Sequence, residues 1–417
     1  MCGRRSTATI TRPHPRLTAV LVGGYLIFAA WLLQEAQADP ATSWMWMVFP
    51  EDFPTAASVL TYLRDLRTGI PPVLSLLEIA SVWWTGDATL MTAVAYQAAM
   101  ALAFLLPILF HRHTLFGVTV SFAIALVLLT SAVLIHPGNP QVYDVYFPLF
   151  TLLFIACRQR AREDRPRSET AWLAAAGFFL TMAELTRPFL FPIVIYAAAL
   201  VCLRLRGGPR WRLAAFLIPL VVFSGGWHAH QAWRFSQITW TNHAGFNLIR
   251  AWPMVGDVPL APETGSAPLG PERDPNINTQ AHQDNSQRLV RAVLEFIWRN
   301  PATGVKHAIR RVQALVGTVR TSVYSHAPDH AVFRLYRPAV WVLSGLLLAN
   351  LIGLGARVLR RPRDAARLLA APRNLLVVVT AYSVVVLAVG DASEEARFLI
   401  SLLPLLAAAA RNPWSDA

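Results

Sequence analysis

Long apolar segments separated by short polar ones dominate this chain. They recur at about 17–34, 88–110, 114–135, 141–157, 170–186, 189–203, 213–228, 338–356, 374–390 and 398–410. Several approach the ~20 residues that a helix needs to cross a hydrocarbon core. Two polar stretches are long. The first, 35–87, contains apolar residues at helical spacing in Pro54–Arg67 and again in Ile70–Trp84, which predicts amphipathic helices lying in a membrane interface. The second, 231–337, is rich in Gly, Pro, Asn and Asp over Met254–Asn285, where irregular loop is expected. Helical patterns then follow at Gln287–Arg299 and Pro301–Val319, with Asn300-Pro301 as a stop and restart.

The expected fold is an all-α polytopic membrane protein of about ten transmembrane helices, with interfacial helices and one helical and irregular extracytoplasmic segment. It divides into a transmembrane module at 1–230 that includes the first outer loop, an outer segment at 231–337 and C-terminal spans at 338–417.

Arginine placement orients this arrangement. With the N-terminus cytoplasmic and every stretch crossing, the inner segments hold twenty-one arginines and the short outer segments four: Arg64, Arg67, Arg187 and Arg397. That asymmetry is what the positive-inside rule demands of short loops. It also accounts for most of the net charge of +13, so inner-leaflet headgroups rather than nucleic acid are the expected partner. The composition agrees, with 55% hydrophobic and 15% charged residues.

The basic N-terminus, the 17–34 run and Ala36-Gln37-Ala38 fit either a cleaved signal or a retained first span. The length of the run favours retention. Cys2, Cys157 and Cys202 are isolated thiols with neither metal-ligand nor disulfide spacing. No residue spacing calls for a metal or a cofactor.

Candidate chemistry gathers at the outer ends. Glu51-Asp52 opens the first outer loop and suits a general base near the bilayer surface, with a solvated loop pair or a helix N-terminal acid as the plainer account. Asp144, at the outer lip of the fourth span, is either a functional acid or a helix N-terminal acid favoured by the dipole. Arg187 suits a lipid phosphate, and Glu184 one turn back offers it a local partner instead. His230, Asn242 and His243 belong to a polar cluster after the seventh span that is able to hydrogen-bond a sugar, with a wet loop as the plainer account. His228 and His230 are two apart, which places them on different helical faces. Arg397 lies beside Asp391, Glu394 and Glu395, where a local ion pair is the simpler reading.

In order along the chain, several of these segments resemble the GT-C superfamily of membrane glycosyltransferases. The branch concerned resembles the aminoarabinose and dolichyl-phosphate-mannose-type protein mannosyltransferases. The resemblance rests on Glu51-Asp52 followed by Gly69-Ile70-Pro71-Pro72-Val73-Leu74, and on Leu185-Thr186-Arg187-Pro188. It continues through Trp227-His228-Ala229-His230-Gln231, Thr241-Asn242-His243-Ala244-Gly245-Phe246-Asn247-Leu248, Asn300-Pro301, and Glu395-Ala396-Arg397-Phe398-Leu399-Ile400. Phe53 and Thr55 stand where the family has a tyrosine, and His230-Gln231 where it has Arg-Asn. The family's acid falls among Asp39, Glu51 and Asp52, with the last two at the better distance from Pro71-Pro72.

The resemblance implies an inverting transfer of a sugar from a polyprenyl-phosphate donor to an acceptor at the outer face of a bacterial-type plasma membrane. Asp52 or Glu51 would be the base and Asp144 a second acid. Arg187 and Arg397 would hold the donor phosphate, and His243, Asn242 and His230 would contact substrate. A transporter or flippase of a lipid-linked substrate, or a non-catalytic membrane scaffold, would use the same outer charges differently.

Overall fold

The computed structural model describes residues 15–35, 72–86, 90–111, 115–135, 143–163, 166–206, 208–236, 244–255, 280–317, 331–390 and 395–410. These residues are helical, with no strand among them. The first module contains α1 (Pro15–Glu35), α2 (Pro72–Thr85), α3 (Leu90–Phe110), α4 (Leu115–Ile135), α5 (Tyr143–Glu163), α6 (Pro166–Thr186) and α7 (Phe191–Leu205). It ends in α8 (Arg210–Pro219), a π-helical turn (Leu220–Gly225) and α9 (Gly226–Phe235). The outer segment contributes α10 (Ala244–Ala251), α11 (Gln280–Arg299) and α12 (Pro301–Gly317). The chain closes with α13 (Val332–Arg360), α14 (Ala365–Leu369), α15 (Pro372–Gly390) and α16 (Glu395–Ala409).

Each of the ten apolar stretches falls on helix. Among the described residues, five helical segments are long and apolar enough to cross a membrane: Pro15–Leu33, Phe116–Val133, Arg210–Trp233, Val332–Arg360 and Pro372–Gly390. Val94–Phe110 and Phe191–Leu205 are shorter apolar helices. The outward surface of these segments is apolar too. Phe116, Val221, Trp341, Leu348 and Ile352 are each more than half exposed, which suits lipid rather than water as the surrounding medium.

The last helix is the axis of the bundle. Leu399, Ser401, Leu402, Leu403, Leu405 and Leu406 on α16 are all buried, and α3, α4, α5, α13 and α15 pack around them. An apolar stretch without a polar face is what a helix enclosed on every side requires. Elsewhere, close approach depends on glycine. A Cβ on Gly177 in α6 would collide with the carbonyl oxygen of Phe216 in α8, and one on Gly245 in α10 with the carbonyl oxygen of Ser286 in α11.

Polar contacts tie the helix ends into two groups. At one end, His111 Nε2 donates to the carbonyl of Ala407 at 3.1 Å, and Asn350 Nδ2 donates to Ala409 at 3.1 Å. Arg373 reaches Asn350 Oδ1 at 3.3 Å, and Arg212 pairs with Glu169 at 2.8 Å. The opposite end is joined by Gln97 to the carbonyl of Leu33, Tyr382 to that of Phe189 and Trp252 to that of Val389. The inner-segment arginines among the described residues lie at or beyond the helix ends of the first group. The N-terminal helix belongs to the same core: Tyr25 is fully buried and its hydroxyl donates to the carbonyl of Ala101 at 2.8 Å.

Helix limits differ from the sequence expectation in three places. α11 begins at Gln280, inside the stretch expected to be loop, because Gln280 Nε2 bonds Asp284 one turn on and the buried Gln283, Asn285 and Ser286 lie against α10 and the rest of the segment. Between α12 and α15 the chain contains α13 from Val332, six residues ahead of the apolar stretch, with Phe333 and Tyr336 buried in the core. The seventh span is interrupted: Pro219 lacks an amide hydrogen, and six residues of π helix follow it. Of the two segments expected as amphipathic helices in the first outer loop, Ile70–Trp84 holds the apolar helix α2, and Pro54–Arg67 lies outside the described residues.

Candidate functional site

The end of the bundle opposite the arginine-rich one holds the described part of the expected site. Helix α6 ends at Thr186, whose hydroxyl donates to the carbonyl of Met182 at 2.6 Å. Arg187 stands just beyond, half-buried, and its amide still bonds the carbonyl of Ala183. Pro188 stops the α-helix, and a short 3-10 turn over Pro188–Leu190 starts α7. This turn is fastened on two sides. Tyr382 of α15 donates to the carbonyl of Phe189 at 2.7 Å, and the Phe147 and Phe189 rings meet edge-on at 5.5 Å.

The Phe147 contact locates Asp144, which lies in the first turn of α5, one turn before Phe147. Arg397 lies in the first turn of α16, on the short connection from α15. The helix turns bearing Asp144, Arg187 and Arg397 therefore occupy one end of the bundle. The side chains of Asp144 and Arg397 lie outside the described residues, as do Asp39, Glu51, Asp52, Asn242 and His243. His230 is on α9, its ring stacked on Trp233 with centroids 5.9 Å apart.

A buried pair that the sequence did not reveal lies beside Arg187. His228 Nε2 donates to Glu184 Oε1 at 2.9 Å, joining α9 to α6. Glu184 is 1% exposed and His228 9%. The His228 ring also lies on Phe191, with centroids 4.1 Å apart. The Glu184 carboxylate, one turn from Arg187 in the sequence, is engaged by a histidine 44 residues later. Glu184 Oε2 is buried without a hydrogen-bond partner among the described residues. A carboxylate oxygen buried without a donor is costly, and such groups concentrate where function requires them. The π turn sets this geometry. An extra residue per turn rotates the following helix, and His228 and His230 then face different neighbours.

Helices of the outer segment fold over the same end. Trp252 Nε1 donates to the carbonyl of Val389 at 3.0 Å, and Arg311 Nε to that of Ala388 at 3.1 Å. His307 Nε2 donates to the carbonyl of Ala251 at 2.7 Å, its ring 4.6 Å from that of Trp252. Trp252, just past α10, and Arg311 of α12 thus cap terminal carbonyls of α15, and His307 of α12 caps the last carbonyl of α10. Among the described residues, no three His, Cys, Asp or Glu side chains gather in a group suited to a metal ion. The chain matches no known protein family, no curated protein and no solved structure.

Proposed function

We propose that the protein is a membrane glycosyltransferase that moves a sugar from a polyprenyl-phosphate donor to an acceptor at the extracytoplasmic face. The observation that carries this reading is the Leu185-Thr186-Arg187-Pro188 turn. It sits at the arginine-poor end of an apolar bundle, beside the buried Glu184–His228 pair, under helices of the outer segment. A guanidinium at headgroup depth suits the phosphate of a lipid carrier that enters sideways from the bilayer. As the sugar departs, negative charge grows on that phosphate, and Arg187, with Arg397 as its partner, stabilises it. Asp52 or Glu51 accepts the acceptor's proton or orients its nucleophile, and Asp144 shapes the sugar site. Asn242, His243 and His230 contact donor or acceptor. The carboxylate is the base and the phosphate the leaving group, so no metal is needed to balance the step.

Purified full-length protein in liposomes, supplied with a panel of polyprenyl-phosphate sugars and candidate acceptors, tests this. The expected result is release of polyprenyl phosphate, with the combined variant Asp52→Asn and Glu51→Gln sharply reduced. Arg187→Ala should lower turnover on the order of 100-fold, the scale set by removing one transition-state charge donor. Undiminished turnover in the double carboxylate variant would move the base elsewhere. Movement of an unaltered lipid-linked sugar between leaflets would replace the transferase reading with a transporter.

A further inference from the structure

The opposite end of the bundle contains a buried arginine that makes no ion pair among the described residues. Arg158, near the end of α5, is 2% exposed. Its Nε and Nη2 have no hydrogen-bond partner among the described residues. Removing a guanidinium from water without satisfying its donors is among the costliest arrangements a fold can contain. Its surroundings add to that cost. Arg162, one turn on, and Arg204, in the last turn of α7, are near enough to repel it, and Arg367 of α14 in turn repels Arg204. Among the described residues, Glu169 is the one acid acting on Arg158. Glu169 Oε2 is itself held by Arg212 Nη2 at 2.8 Å.

Four arginines from three helices, together with Arg367, thus gather around Glu169 as the one acid acting on Arg158 among the described residues. We propose that this cluster is an anion site, in which Arg158, Arg162 and Arg204 bind one phosphate group. A tetrahedral phosphate offers oxygens enough for several guanidinium forks at once and carries charge enough to offset them, which a single carboxylate cannot do. The phosphate belongs either to an anionic lipid headgroup, since the cluster lies at the ends of apolar helices, or to a soluble phosphate compound reaching the same face. The site is separate from the Arg187 turn and stands whether or not the protein transfers sugar.

Full-length protein in neutral detergent tests the site through its thermal midpoint. One arm titrates inorganic phosphate at constant ionic strength. The other adds phosphatidylglycerol, with phosphatidylcholine as the zwitterionic control, and native mass spectrometry reads the lipid retained. The midpoint should rise with phosphate, with phosphatidylglycerol or with both, because a ligand bound only to the folded state stabilises it. A response to phosphatidylglycerol alone assigns the site to a headgroup, and a response to phosphate assigns it to a soluble ligand. Arg158→Met fills the same space without the charge. It should fold at least as well as the native chain without ligand, and its apparent affinity for the anion should fall about tenfold or more. Half-buried Arg204→Gln supplies the same reading if Arg158→Met does not fold. No rise with either ligand, or an unchanged response in the variants, would overturn the site.

Discussion

The Glu184–His228 contact shows how much a single buried pair can fix. It joins α6 to α9 through one 2.9 Å bond in a region almost free of water. Removing either partner strands the other, so Glu184→Ala and His228→Ala should each cost about 2–4 kcal/mol, more than an exposed pair would. Together they should cost less than the sum, with a coupling of about 1–3 kcal/mol, measured as a double-mutant cycle on unfolding in detergent. Strict additivity would mean that the two groups do not interact. Such a pair is invisible along the chain. Glu184 has Arg187 one helical turn away, and nothing local indicates that a histidine in another helix meets it first. The π turn after Pro219 changes the facing of the helix that carries His228, and no local pattern in the sequence announces that. Arg187, in contrast, was legible as a candidate, because an arginine among so few on its side of the chain stands out.

At the scale of elements, packing is set by where backbones approach. The contact of α6 with α8 leaves no space for a side chain at position 177. Gly177→Val should therefore push the two helices apart and lower stability by about 1–3 kcal/mol or more, read from the unfolding midpoint. Gly345 in α13 meets nothing within 4 Å. Gly345→Ala should be neutral or gain up to about 1 kcal/mol, since alanine restricts the unfolded chain and favours helix. Equal effects at the two positions would contradict the observed crossing. The helical hairpin of α11 and α12 was readable in outline, because Asn300-Pro301 stops one helix and starts the next. Its early start at Gln280 was not, because Gln283, Asn285 and Ser286 look like loop residues until a buried interface gives them partners.

Across the whole molecule, the two ends of the bundle differ in charge and in what covers them. One gathers arginines around Arg158, Arg212 and Arg373, whereas the other holds Glu184, His228 and the α10–α12 cover. Reporter fusions should accordingly report Arg160 and Arg363 in the cytoplasm and Met254 outside it. A cytoplasmic signal at Met254 would reverse the orientation and remove the proposed site from the outer face. The central position of α16 has a consequence at the same scale. Leu402→Ala and Leu406→Ala each empty a fully enclosed space and should cost about 2–5 kcal/mol, whereas lipid-facing Leu348→Ala should cost far less.

Hydropathy and arginine placement along the chain were enough to determine a helical protein with helices long and apolar enough to cross a membrane, its helical stretches and the segregation of its charge. Those properties depend on each segment's own exchange between water and lipid, which neighbours barely alter. What the tertiary structure decided is which helix lies at the centre, which carboxylate meets which histidine, and which arginine is buried with donors unsatisfied among the described residues. Those outcomes depend on contacts between residues far apart in sequence, where close packing and low polarity make the cost of an unmatched group far larger than any local preference.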